Sequence, residues 1–189
     1  MFKPKNLVST SRPLELLHID LFGPMNVISM SSKSYGFVIV DNFSRFTWVY
    51  FLTHKDEALH TFIKHCKKVQ NKKCLTLVNI RNDYGGEFEN YGFEMFYNEN
   101  GFGHNFSASR TSQQNGVVER KNCTLKEMVR TILCKNNSPK YFWEEAIKRP
   151  LLTKTPYELY KGRKPNVSHL RSFGCICFVL NNGDTSLVK

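Results

Sequence analysis

The chain holds 189 residues, 41% of them apolar and 13% aromatic, which is enough for one domain with a real core and argues against wholesale disorder. No apolar run approaches the length of a membrane span, and the start Met1-Phe2-Lys3-Pro4-Lys5 lacks a signal-peptide core, so no membrane partner is expected. The formal charge is +11, and residues 120–171 concentrate it, with 13 lysines and arginines against 4 acids, so the expected partner is a polyanion such as a nucleic acid.

Residues 1–13 are polar and read as a lead-in segment. Leu14–Leu21 is the first predicted strand, broken by Gly23-Pro24. Tyr35–Val40 and Thr47–Leu52 are two more, rich in β-branched and aromatic residues and joined as a hairpin through Asp41-Asn42-Phe43-Ser44-Arg45. Three strands with short connections make an antiparallel meander. The period then changes: Ala58, Leu59, Phe62, Ile63, Cys66 and Val69 follow helical spacing, with Thr53 and Asp56 placed to cap the start. Leu75–Ile80 returns to a strand. Phe88, Phe93, Phe96 and Tyr97 predict a short helix stopped at Asn100-Gly101, and Gly103–Ser107 a weak last strand.

Thr111 with Gln114 has capping-box spacing, and the helix it opens carries an apolar stripe of Val118, Leu125, Met128, Val129, Ile132 and Leu133 to about Cys134. Ser138-Pro139 starts another helix through Tyr141, Phe142, Trp143, Ala146 and Ile147, ended by Pro150. Trp48 and Trp143 read as core. The pattern is βββ-αβ-αβ-αα over residues 14–150. Strands returning through helices run parallel in right-handed crossovers. The expected architecture is a mixed five-stranded sheet flanked by helices, with the first and fourth strands side by side. Residues 151–189 read as a basic extension, truncated or packed as an edge strand through Cys175–Leu180. The six cysteines include no Cys-x-x-Cys pair and read as buried or free thiols in a reducing compartment.

Three acids stand out. Asp20 ends an apolar strand. Asp83 follows another, in Arg81-Asn82-Asp83-Tyr84-Gly85-Gly86-Glu87-Phe88. Glu119 sits at the head of the long helix, off its apolar stripe, sharing a row with Cys123, Lys126 and Arg130. An acid at the end of a buried strand is poorly solvated and needs a partner. Two such acids and a third on a nearby helix can share divalent cations, and an all-oxygen set suits Mg²⁺ or Mn²⁺. On the helix alone, Glu119 reads first as an ordinary residue of a solvated amphipathic helix. His18, on the same strand face as Asp20, is a hydrogen-bonded structural histidine or a metal ligand.

The order Asp20, Asp83, thirty-five residues, Glu119 resembles the DDE catalytic core of retroviral and retrotransposon integrases. The words around these acids are more specific. His18-Ile19-Asp20-Leu21-Phe22-Gly23-Pro24, Asp83-Tyr84-Gly85-Gly86-Glu87-Phe88, Gln113-Gln114-Asn115-Gly116-Val117-Val118-Glu119-Arg120-Lys121-Asn122, Thr155-Pro156-Tyr157-Glu158 and His169-Leu170-Arg171-Ser172-Phe173-Gly174 resemble copia-type (Ty1/copia) LTR retrotransposon polyproteins, in that family's order and over nearly the whole chain.

The resemblance implies a ribonuclease H-like fold and a Pol polyprotein fragment. It implies catalytic and metal roles for Asp20, Asp83 and Glu119, with two Mg²⁺ or Mn²⁺ ions per site acting on either side of the reacting phosphate. It implies 3′-processing and strand transfer on element-end and target DNA, by a homo-oligomer in the nucleus, reached from a cytoplasmic particle. Gln113, Gln114 and Asn115 would touch DNA from the loop before the helix, and Lys121, Lys126 and Arg130 would contact it from the helix.

The chain also departs from the family. Tyr84 stands where Asn or His is usual, and Cys123 where Arg is usual one turn after the glutamate. Ala146-Ile147-Lys148 runs straight into Arg149-Pro150, which reads as an internal deletion. The deletion and Cys123 motivate one alternative, a decayed or domesticated remnant that keeps the fold and DNA binding without catalysis; a cellular ribonuclease H-like nuclease is a further reading, which needs a fourth acidic ligand placed for hydrolysis.

Overall fold

A computed structural model of the chain describes residues 9–82, 88, 90–106 and 116–148. Three strands come first: β1 (Leu16–Phe22), β2 (Tyr35–Asp41) and β3 (Thr47–Leu52). Then follow α1 (Glu57–Lys73), β4 (Asn79–Asn82), α2 (Tyr91–Asn100), β5 (Gly103–Phe106) and α3 (Gly116–Lys135). A single 3-10 turn at Lys140–Phe142 leads into α4 (Trp143–Lys148). The sheet order is β3-β2-β1-β4-β5, with β1–β2 and β2–β3 antiparallel and β1–β4 and β4–β5 parallel. The expected mixed sheet is therefore present, with β1 and β4 adjacent at its centre.

Several boundaries differ from the sequence reading: β1 begins at Leu16 rather than Leu14, and the helix expected from Ser138-Pro139 opens as the 3-10 turn at Lys140. The β4 ladder begins at Asn79, paired with Leu16, rather than at Leu75. Leu77 is apolar because it is buried, but its amide is bonded to the Gln70 side chain at the end of α1 (2.9 Å), so the segment belongs to the connection. The start of α1 is capped differently too. Asp56 is itself helical and makes no side-chain cap bond. Instead Glu57 Oε1 reaches back and accepts from the amides of Thr53 (3.1 Å) and His54 (3.0 Å), where its charge also suits the helix dipole. The stop at Gly101 holds, in the left-handed conformation that glycine adopts without strain (φ 64°). The capping box at Thr111 and the whole extension 151–189 lie outside the described residues.

The pleat of β1 divides the molecule into two cores. Leu17 and Ile19, with Phe37 and Ile39 of β2, face α1 and α2, where Phe62, Phe93 and Phe96 complete an aromatic core. Phe37 and Phe62 meet edge to face (6.1 Å, 80°), as do Phe62 and Phe96 (6.0 Å, 78°). His18, Asp20 and Phe22 point the other way. There Phe22, Val38 and Val40 meet Val118, Leu125, Val129 and Leu133 of α3 and Trp143, Ala146 and Ile147 of α4. Gly36 is cross-strand to Phe22, and a Cβ there would fall inside the Phe22 ring, so only glycine lets β2 pass beneath it. Trp143 is core as expected, whereas Trp48 is half-buried, edge-on to Phe46 and His65.

His65 is a polar residue inside the aromatic core. It is 1% exposed, its Nδ1 lies 2.8 Å from the Tyr50 hydroxyl, and its Nε2 is buried with no hydrogen-bond partner. Burial pushes its pKa down to about 3, from 6.5. Between those values the unfolded chain takes a proton that the folded chain refuses. This contribution to stability is therefore complete above pH 6.5 and is lost on acidification, at about 1.4 kcal/mol per pH unit until the folded value is reached. Urea unfolding from neutral pH to pH about 4 checks this. His65→Gln is expected to be less stable at neutral pH and to lose stability less steeply than the parent chain.

Candidate active site

Asp20 lies on the β1 face that packs against α3 and remains partly exposed. Its carboxylate is held on both oxygens. Leu21 N donates to Oδ1 (2.8 Å), and Asn122 Nδ2, from the first turns of α3, donates to Oδ2 (2.6 Å). Asn122 is 6% exposed and occupies the buried stripe between Val118 and Leu125. Its Oδ1 is buried without a partner. The carboxylate fixes the amide's orientation, since the flipped amide would set an acceptor against an acceptor.

Glu119 precedes Asn122 by three residues, so the two share a side of the helix, and Glu119 is half-buried in the first turn. The Asn122–Asp20 bond thus brings the β1 acid to the head of α3, where Glu119 sits. The parallel register pairs Leu17 with Ile80 and His18 with Arg81, so the end of β4 lies beside the middle of β1. Asp83, the third predicted acid, lies outside the described residues. So do Tyr84, Gly85, Gly86, Gln113, Gln114, Asn115 and the region of the expected deletion from Arg149 on.

The end of β4 is anchored from the opposite face. Asn82 is fully buried and accepts a 2.6 Å bond from His104 Nε2 of β5, and the His104 ring stacks on Tyr97. Arg81, on the Asp20 face, is half-buried, and burial lowers its pKa. Its Nε is buried without a partner. His18 is buried and donates through Nε2 to Asn42 Oδ1 (3.2 Å), which ties β1 to the β2–β3 turn.

The predicted phosphate contacts divide into two kinds. Lys126 and Arg130 stand exposed along α3. Lys121 is half-buried, and burial lowers its pKa, so it is withdrawn from that row. Cys123 is an exposed free thiol. Sequence reasoning missed Asn122, Arg81 and Asn82. Asn122 left a signal, as a polar residue at helical spacing inside an apolar stripe.

Among the described residues no three His, Cys, Asp or Glu side chains gather as a metal-holding group. With Asp83 outside them, the fit rests on donor chemistry: the oriented carboxylate of Asp20 on β1 and the carboxylate of Glu119 on α3 match the hard-oxygen preference of Mg²⁺ or Mn²⁺.

Residues 10–112 match the integrase core domain family. The chain belongs to that family. Its relatives among integrase-bearing polyproteins are of the copia/Ty1 kind. It is 34% identical over 176 residues to the retrovirus-related Pol polyprotein from transposon TNT 1-94 of Nicotiana tabacum, covering 87% of this chain and 13% of that polyprotein. It is 30% identical over 159 residues to the Ty1-DR6 Gag-Pol polyprotein of Saccharomyces cerevisiae, covering 83% of this chain and 9% of the relative. The chain thus spans about a tenth of the length of these curated relatives.

Solved integrase structures share the fold. The HTLV-2 integrase catalytic core domain in complex with magnesium, in a trimeric form, aligns with a TM-score of 0.52 at 21% identity, covering 78% of this chain and 85% of that one. A simian T-cell lymphotropic virus intasome in complex with the PP2A regulatory subunit B56 gamma aligns at 0.60 and 16% identity, covering 88% of this chain and 60% of that one. The integrase core is thus ribonuclease H-like, as its mixed five-stranded sheet indicates.

Proposed function

We propose that this integrase core is the catalytic domain of a retrotransposon integrase, a divalent-metal-dependent enzyme that trims the 3′ ends of its element's DNA and joins them to target DNA. The observation that carries the reading is the 2.6 Å bond from Asn122 to Asp20, which ties the acid of β1 to the helix that bears Glu119. The family match supports it, and so does the parallel pairing of β1 with β4, the strand that precedes Asp83 in the sequence.

Asp20, Asp83 and Glu119 would hold two ions of Mg²⁺ or Mn²⁺. Bound there, the metal supplies positive charge that acidifies the attacking oxygen and stabilises the leaving one. The attacking group is water in trimming and the DNA 3′-hydroxyl in joining. Asn122 keeps the Asp20 carboxylate in one plane, so the ligand is oriented before the ion arrives. Lys126 and Arg130 neutralise the phosphates that flank the reacting one, with Lys121 nearer the helix body and Gln113, Gln114 and Asn115 on the approach to α3. The working form is a homo-oligomer that acts in the nucleus.

A second reading, a remnant that binds DNA without turnover, draws on one observation: the thiol of Cys123 lies exposed where a cation would meet phosphate. Purified chain, Mn²⁺ and labelled element-end duplex separate the two. The enzyme reading predicts metal-dependent nicking or disintegration, and DNA binding without any cleavage supports the remnant. In the enzyme, Asn122→Ala is expected to weaken metal affinity or activity by about 10–100-fold. Unchanged kinetics and metal affinity in that variant would remove Asn122 from the site.

A further inference from the structure

Where the chain leaves β1, a cavity of about 360 Å³ lies between residues 22–27 and the helices α3 and α4. Its floor is apolar, formed by Phe22, Val129, Leu133, Trp143 and Ile147. Its lining includes three exposed cations, Lys126, Arg130 and Lys140, and no carboxylate. The Lys126 ammonium stands 5.8 Å from the centre of the Phe22 ring, so positive charge sits over the mouth of an aromatic floor. Phe22 follows Asp20 by two residues on the same face of β1, which sets this cavity one strand repeat from the carboxylate site.

We propose that the cavity receives one unpaired nucleobase of the DNA on which the carboxylates act, its ring against the apolar floor and its flanking phosphates on Lys126, Arg130 and Lys140. The inference rests on the integrase reading above and adds a base-binding subsite to it. The size is that of a small-ligand pocket. An apolar floor accepts any base face, and Asn26 in the lining offers a donor and an acceptor to a base edge. An unpaired base costs least to lift from the stack, so a frayed or overhanging end is the form that enters.

Charge argues against a second copy as the occupant. A second copy of this chain brings a net +11 to a cationic rim. A nucleic acid brings the matching sign.

Fluorescence anisotropy of the full chain tests this on three forms of one short duplex: blunt, with a dinucleotide overhang, and with the same overhang made abasic. The abasic overhang keeps the phosphates and removes the bases. The base-bearing overhang is expected to bind roughly tenfold tighter than the abasic one. It should also slow alkylation of Cys134, an exposed free thiol in the lining, relative to Cys74 at the end of α1. Equal affinity for the two overhangs overturns the subsite and leaves the integrase reading standing. Failure to bind any of the three duplexes overturns both. Protection of Cys134 that rises with protein concentration in the absence of DNA assigns the cavity to a second copy and overturns the proposal.

Discussion

Asp20→Asn is expected to lower metal-dependent DNA cleavage and joining by roughly a thousandfold, with the fold intact. Asparagine keeps the shape and one acceptor oxygen for the Asn122 amide, so the tie between β1 and α3 survives while the charge that holds a cation is gone. Asp41 is the control, because it is an acid of the same sheet with the opposite role. It is fully buried at the end of β2, accepts from the amides of Leu14 (2.8 Å) and Ser44 (2.7 Å), and closes the turn into β3. Asp41→Asn should cost about 1–3 kcal/mol of stability and leave the turnover of the surviving folded protein nearly unchanged. Nicking assays with circular dichroism melts on both variants check the pair. Full activity in Asp20→Asn would remove it from the catalytic set.

Trp143→Ala is expected to cost about 3–5 kcal/mol, a large part of the stability of an ordinary domain. The reason is the shortness of α4, which at six residues cannot persist as an isolated helix and depends on its anchor. Trp143 is that anchor. It is 1% exposed, meets Phe51 edge to face (5.5 Å), and donates through Nε1 to Val27 O (3.0 Å). Glu144 beside it ties the same segment down, since its carboxylate accepts from Ser29 Oγ (2.7 Å) and pairs with Lys148 (2.6 Å). Burial alone would raise the Glu144 pKa, but Lys148 and the hydroxyls of Ser29 and Ser31 hold it below the ordinary value. Trp143→Phe keeps most of the packing and loses the bond to Val27, for about 1 kcal/mol. Urea midpoints ordered parent, Phe, Ala would bear this out, and an unchanged midpoint in the alanine variant would show that α4 contributes little.

The features legible in the sequence were those carried by residue type or by a repeat. Runs of β-branched and aromatic residues placed β2 and β3 almost to the residue, helical spacing placed α1 and α3, and the handedness of helical crossovers was enough to set β1 beside β4. What was missed breaks a repeat. Asn122 and His65 sit at core positions of amphipathic helices, and a reading that follows apolar residues passes over them. Yet each is fixed there by a partner far away in the chain, Asp20 for one and Tyr50 for the other. The start of β4 was set too early because Leu77 is apolar for burial's sake, with its amide committed to Gln70. Capping at α1 went to Glu57 rather than Asp56 because a long carboxylate at the first helical position can reach back over two amides. Of the site itself, the Asp20 strand and the Glu119 helix were legible from motif words. The bond that joins them was not, since no spacing rule links two residues 102 positions apart.

The central claim is that Asp20, Asp83 and Glu119 gather around shared divalent ions. The most direct measurement is anomalous scattering from crystals soaked in Mn²⁺. The account predicts two peaks about 3.5–4 Å apart, within roughly 2.0–2.3 Å of oxygens from Asp20, Asp83 and Glu119, with the Asn122 amide still on Asp20. Carboxylates pointing apart in the soaked crystal, with manganese absent from all three, would contradict it.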